Sequence, residues 1–315
     1  MSRRLLAVLL LLLLRVPPAL PAQQAVRGPL TVFNAGSLAA AVRELLQEFR
    51  RRHPDIQPRQ ESAGSLESAR KLTDLGRVPD VLAVADYQVL TALVVPAHAT
   101  WYANFARNAM VLLYTDRSRG AAEITAANWW QVLQRPGVRT GRSDPALDPN
   151  GYRTVMVTQL AERHYRQPGL ARRLLAAMPP RFMRPKEADL VALVQAGELD
   201  YAWSYRNIAV ATGLRSLALP AEVDLSDPAL AATYGLASVR VPGVRGGDPL
   251  TLRGEPIVYA LTIPSAAPNP AAAQAFVRFV LSPDGQAILR RGGYILLDRP
   301  QAAGPGRPPA GLFPP

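Results

Sequence analysis

Residues 30–52 read LTVFNAGSLAAAVRELLQEFRRR, and residues 56–75 read IQPRQESAGSLESARKLTDL. Each stretch runs from a β-rich segment through a small-residue turn, Ala35-Gly36-Ser37 or Ala63-Gly64-Ser65, into a helical pattern. In the first, Leu38, Ala41, Val42, Leu45, Leu46 and Phe49 recur at three- and four-residue spacing, with Ser37 placed to cap the helix. In the second, Ile56–Gln60 is strand-like and Leu66–Leu75 helical, and Pro79–Val84 follows as a third strand ending in Ala85-Asp86-Tyr87. Strands alternating with helices predict an α/β fold with a largely parallel sheet, whose ligands sit at the carboxyl ends of its strands.

Outward from this lobe the same patterns continue. Ala109–Tyr114 (AMVLLY) and Ile257–Pro264 (IVYALTIP) read as buried strands. Ile124–Val132, Thr154–Tyr165, Leu170–Ala177, Ala188–Ala196 and Ala271–Leu281 read as helices. Tyr201–Tyr205 and Ile208–Ala211 flank a turn, and Pro242–Asp248 is a Gly-rich hairpin or loop. The Pro/Gly/Ala-rich composition after Pro300 predicts a disordered tail over 299–315.

The 315 residues include no cysteine, which excludes a disulfide framework, zinc–cysteine and iron–sulfur sites, a cysteine nucleophile and a lipid-modified cysteine. The formal charge is +12, yet only Lys71 and Lys186 of the 36 basic residues are lysine, a bias that GC-rich coding also produces. Residues 1–22 carry Arg3 and Arg4, the apolar run Leu5–Leu14 and a small-residue exit at Pro17–Ala22. Ten apolar residues span about 15 Å, half of a membrane's hydrocarbon core, so the segment reads as a secretory signal peptide cleaved after Ala22, with a retained anchor as the alternative. Loss of Arg3, Arg4 and Arg15 with it takes the charge from +12 to +9. The expected protein is secreted and extracytoplasmic, is not a lipoprotein, and does not bind nucleic acid.

Glycine in each Ala-Gly-Ser turn lets backbone approach a ligand closely, while the serine hydroxyl and the first helical amides offer donors to an anion. The competing reading makes both serines simple helix caps. His53, His98 and His164 stand apart, with no partner at metal-ligand spacing, and His53 falls at a helix end where a cation is favourable. Glu67, Asp74 and Asp80 do not form a catalytic pair, so no enzyme activity and no cofactor are expected. Trp129-Trp130 reads as packing, and the arginine pairs as solvated helix faces.

LTVFNAGSL and QESAGSLESARKLTDLGRVPDVLAVADYQVL are followed by FARNAMVLLYTD, SDPALDPNGYRTVMVTQLAE, RPKEADLVALVQAGELDYAWSYRNIAVATGL, PAEVDLSDPALAATY, GEPIVYALTIP and FVRFVLSPDGQAIL. Together, over residues 30–295, these blocks resemble the periplasmic binding proteins of molybdate/tungstate ABC importers, in particular the branch known from archaea. The resemblance implies a two-lobed, type II periplasmic-binding fold closing on an oxyanion in the cleft. It implies a first lobe of 29–112 plus 260–298 and a second of 113–259, with AMVLLY and IVYALTI as the two crossover strands. It also implies a monomer that delivers its anion to an ABC permease in the inner membrane.

Carried onto this chain, the family's site gives Ser37 and Ser65 as hydroxyl and amide donors from the first lobe. Asn150 and Glu187 offer backbone amides from the second, with the Glu187 carboxylate facing away. Tyr205 gives a hydroxyl, and Asp148 approaches the metal and raises its coordination above four. The branch usually has a glutamate just before the tyrosine, where this chain has Ser204. With Asp148 alone, the expectation is a tetrahedral molybdate or tungstate whose oxygen is held by the Ser204 hydroxyl. Two other readings stay open: another tetrahedral oxyanion such as sulfate or phosphate, and a basic cell-surface or nucleic-acid-binding protein.

Overall fold

The computed structural model describes residues 26–243 and 248–313. The signal-peptide reading therefore lies outside the described residues, as does the middle of the Gly-rich loop.

Thirteen strands can be followed among the described residues. They are β1 (Gly28–Ala35), β2 (Ile56–Ala63), β3 (Val81–Val84), β4 (Tyr102–Arg107), β5 (Met110–Tyr114), β6 (Thr140–Ser143) and β7 (Met183–Arg184). The rest are β8 (Tyr201–Tyr205), β9 (Arg215–Ala218), β10 (Ser238–Val241), β11 (Leu250–Arg253), β12 (Val258–Thr262) and β13 (Ile295–Ala303). They form a six-stranded sheet ordered β13-β4-β12-β3-β1-β2, a five-stranded sheet ordered β7-β6-β8-β5-β9, and a β10-β11 hairpin. β1 pairs in parallel with β2 and β3, and β6 with β7 and β8, while β12, β4 and β13 run antiparallel. The fold is mixed α/β with two sheets, one per lobe.

The expected helix after the first turn spans Ala39–Arg52 and buries Ala41, Val42, Leu45, Leu46 and Phe49. That apolar stripe covers the sheet, and Phe49 meets Phe276 and Phe279 at ring separations of 5.3 and 5.9 Å. Arg50, Arg51 and Arg52 occupy its last turn, where the helix dipole favours cations, and His53 is the C-cap. β3, β5 and β8 are buried at every residue, as continuous apolar runs covered on both faces should be. Trp129 packs edge-on against Trp203 at 5.4 Å, in agreement with its reading as a core residue.

Several expectations are corrected. Ile124–Val132 is helical only over Trp129–Val132, because the Asn128 side chain bonds Thr125 N and Glu123 O and closes the preceding residues into turns. Ile208–Ala211 belongs to a helix, Arg206–Thr212, that leaves β8 directly. The two expected crossover strands each lie within one sheet, β5 in the five-stranded and β12 in the six-stranded one, and the chain passes from β4 of one sheet to β5 of the other at Asn108-Ala109. The tail is ordered over the described residues. β13 runs through Pro300 to Ala303, Gly306 N donates to Thr100 O at 2.7 Å, and Leu312 is buried. Proline is tolerated because β13 is an edge strand and Pro300 falls where its register against β4 shifts.

Candidate functional site

β1 and β2 end side by side, with Ala35 opposite Ala63, so the two Ala-Gly-Ser turns emerge together from the first lobe. Each faces one helix start of the second lobe. A Cβ on Gly36 would lie 3.7 Å from the Ala188 Cβ, at the start of the Ala188–Gln195 helix. One on Gly64 would lie 2.2 Å from the Leu147 carbonyl oxygen, just before the Pro149–His164 helix. Gly64 has ordinary extended dihedrals, so glycine is required there by the approach of the other lobe and not by backbone strain. Tyr205, at the end of β8, completes the set. Ser37, Ser65, Asp148, Asn150, Glu187, Ser204 and Tyr205 are all buried in this closed arrangement.

Neither serine caps a helix with its side chain. Ser37 sits inside a short 3-10 turn (Gly36–Leu38), and Ser65 is already the first residue of the Ser65–Thr73 helix, so both hydroxyls are released for other partners. The Ser37 Oγ accepts from the Tyr259 hydroxyl at 3.0 Å, and that hydroxyl accepts in turn from Asn108 Nδ2 at 3.0 Å. The Ser65 Oγ accepts from Ala85 N at 3.0 Å. The Tyr205 hydroxyl accepts from Arg153 Nη1 at 3.1 Å. A hydroxyl has one proton, and when a donor stands behind it that proton is directed elsewhere. All three hydroxyls are thus set as donors. Burial pushes Tyr205 well above the usual phenol range, which keeps its proton in place.

Arg153 is itself buried and bridges the lobes. Its Nη1 donates to Ala85 O at 2.8 Å and its Nη2 lies 3.2 Å from Asp86 Oδ2, which also accepts from the Tyr152 hydroxyl at 2.6 Å. On the other side of the cleft, Asn207 Nδ2 and the Tyr294 hydroxyl both donate to Ser37 O, at 2.8 and 2.7 Å.

Two expectations about the second lobe are corrected. The Glu187 carboxylate does not face away: it is buried and its Oε1 accepts from the Ser204 hydroxyl. Consequently the Ser204 proton is not free for an anion. The region therefore holds two carboxyl groups, Asp148 and Glu187, and not one. Burial raises Glu187 to about 8, opposed by the Ser204 hydrogen bond and aided by the neighbouring Asp148. Burial likewise raises Asp148 to about 6 against the amide bonds it accepts from Glu187 and Asn150. The buried atoms Glu187 Oε2 and Asn150 Nδ2 have no hydrogen-bond partner in the protein, although native interiors leave few such groups unpaired.

Tyr259, Asn108, Arg153 and the Glu187 side chain were not anticipated as parts of the site. Arg153 adjoins the DPNGY run and Asn108 falls between two strand patterns, but their partners lie 52 and 151 residues away. No local spacing reveals such pairs. Among the described residues no group of His, Cys, Asp and Glu side chains has the geometry to hold a metal ion. The donors present suit an anion.

Comparison with known proteins accords with this geometry. The family described as bacterial extracellular solute-binding protein matches residues 30–295. An uncharacterized solute-binding protein of Petrotoga mobilis is 42% identical over 88% of this chain and 86% of its own. The molybdate/tungstate-binding protein of Pyrococcus abyssi is 34% identical over 87% and 86%. The solved periplasmic molybdate-binding protein of Azotobacter vinelandii superposes with a TM-score of 0.62 at 17% identity, over 85% of this chain and all of that one. The sulfate-binding protein SubI of Mycobacterium tuberculosis does so with 0.61 at 14%, over 86% and 88%. These two share the two-lobed fold. The chain belongs to the bacterial extracellular solute-binding proteins, which capture a solute for an ABC importer.

Proposed function

We propose that this protein binds molybdate or tungstate outside the cytoplasm, as a monomer, and delivers it to an ABC permease. The observation that carries the reading is the set of three buried hydroxyls, Ser37, Ser65 and Tyr205, each backed by a donor and so left with its own proton to give. The starts of the Pro149–His164 and Ala188–Gln195 helices add amides and dipoles from the other lobe. Arg153, one hydrogen bond behind Tyr205, is neutralised by Asp86. The hydroxyls around the anion would therefore be neutral donors.

The choice of anion rests on the Pyrococcus relative and on the carboxyl groups. A carboxylate repels a dianion unless the central atom can accept its oxygen, and the metals of molybdate and tungstate can enlarge their coordination shell whereas the sulfur of sulfate does not. The expectation of purely tetrahedral binding counted Asp148 alone, and Glu187 beside Ser204 removes its premise. Donors held at fixed separations would also fit the longer Mo–O and W–O bonds and serve sulfate poorly. Two imperfect buried hydrogen bonds, at about 1–3 kcal/mol each, give roughly 100-fold discrimination or more.

Calorimetric titration with tungstate, molybdate and sulfate tests this. One tightly bound metal oxyanion per chain, with sulfate about 100-fold weaker or worse, is the expected result. Sulfate binding as tightly as tungstate would favour a sulfate carrier. Silence toward all three, with steeply salt-dependent DNA binding, would overturn the oxyanion reading altogether.

A further inference from the structure

Arg153 spans the cleft one hydrogen bond behind the anion's donors. It stands near the start of the Pro149–His164 helix, in the lobe of the five-stranded sheet, and is buried. Its Nη1 is shared between the Ala85 carbonyl oxygen at 2.8 Å and the Tyr205 hydroxyl at 3.1 Å, and its Nη2 lies 3.2 Å from Asp86 Oδ2. Ala85 and Asp86 directly follow β3, in the other lobe. Ala85 has a second partner, because its N–H donates to Ser65 Oγ at 3.0 Å. A continuous run of contacts therefore joins a first-lobe hydroxyl to a second-lobe one, from Ser65 through Ala85 and Arg153 to Tyr205. The Tyr152 hydroxyl, 2.6 Å from Asp86 Oδ2, holds the same carboxylate from the second lobe. The guanidinium lies 5.8 Å from the centre of the Tyr205 ring and 6.0 Å from that of Tyr152.

We propose that Arg153 is a positioning residue that couples lobe closure to Tyr205, so that the Tyr205 hydroxyl is fixed as a donor only when the first lobe is docked against the second. This rests on the oxyanion reading of the site. Of the partners that hold the guanidinium, Ala85 O and Asp86 belong to the first lobe, and separating the lobes strips it of both. A long side chain freed from those two partners regains its rotamer freedom and no longer keeps a donor behind the phenol oxygen. The phenol is then free to accept from water and to turn its proton elsewhere. On closure the planar guanidinium fork meets Ala85 O, Asp86 and Tyr205 together, and the Tyr205 proton is left for the anion. Because Asp86 neutralises its charge within the protein, Arg153 strengthens binding through Tyr205 and not by attracting the anion. Its effect falls on the closed complex, and therefore on the rate of release and not of capture.

The test is stopped-flow measurement of tungstate capture and release by the full chain, by Arg153→Lys, by Tyr205→Phe and by the double variant. Lysine keeps the positive charge for Asp86 but lacks the fork that serves all three partners. Arg153→Lys is expected to raise the release rate about tenfold or more, with the capture rate within about twofold of wild type. In the Tyr205→Phe background the same substitution should add nothing further, since the hydroxyl it acts through is gone. Effects of the two substitutions that add in full overturn the proposal and make Arg153 a structural residue. Slower capture with unchanged release overturns it too, and makes Arg153 an attracting charge. Asp86→Asn reaches the bridge from the other lobe, retains an acceptor for Gln88 N, and carries the same expectation if thermal unfolding shows Arg153→Lys to be misfolded. A wild-type chain that binds none of tungstate, molybdate and sulfate overturns the oxyanion reading itself, a failure visible without any variant. For a chain that carries sulfate instead, the same cycle read with sulfate decides the coupling.

Discussion

At the scale of single residues, what matters is where each proton goes. Ser37 and Ser65 are singled out in the sequence by the two turn motifs, and Tyr205 by the resemblance alone. What was not legible is that Tyr259, Ala85 N and Arg153 stand behind them and fix them as donors. Glu187 shows the limit most clearly. Its position at a helix start implies a carboxylate that faces away, yet it is buried and accepts a hydrogen bond from Ser204. This has a measurable consequence. A carboxyl raised from 4.5 to about 8 on folding binds its proton more tightly in the native state. Its contribution to stability is complete below pH 4.5 and is lost as pH rises to about 8. Glu187→Gln keeps an acceptor for Ser204 without titrating. Urea unfolding at pH 5 and pH 8 should therefore show a smaller stability loss in the variant than in the wild type. Equal losses would mean that Glu187 stays ionised in the native protein.

Among the elements, the strand–turn–helix units of the first lobe were readable because apolar residues at three- and four-residue spacing have no other way to bury themselves together. The tail was misread for the opposite reason. Its proline and glycine content argues against structure locally, but the free edge of β4 supplies backbone partners that composition cannot reveal. The Ala-Gly-Ser turns show how an element can be shaped by its opposite lobe. At Gly64 a methyl group would meet the Leu147 carbonyl at 2.2 Å, and its three nearest atoms all belong to Leu147 and Asp148. Gly64→Ala should therefore leave the thermal midpoint of the ligand-free protein within a few degrees of wild type while weakening oxyanion binding at least tenfold. Unchanged affinity would show that the lobes close without this contact.

For the molecule as a whole, closure brings donors from two lobes around one point and buries the ion pair of Arg153 and Asp86 across them. A buried pair that loses one member leaves an uncompensated charge, so this contact ties lobe closure to the integrity of the Tyr205 donor. Under the proposed function, the chain's net positive charge would attract anions at long range, while the site would discriminate by neutral donors and carboxyl geometry. The central claim is that a metal oxyanion sits between the two Ala-Gly-Ser turns and the two facing helix starts. Tungsten anomalous scattering from crystals grown with tungstate tests it most directly. The account predicts a single strong peak per chain within hydrogen-bonding range of the hydroxyls of Ser37, Ser65 and Tyr205. A peak elsewhere on the molecule, or none at saturating tungstate, would contradict it.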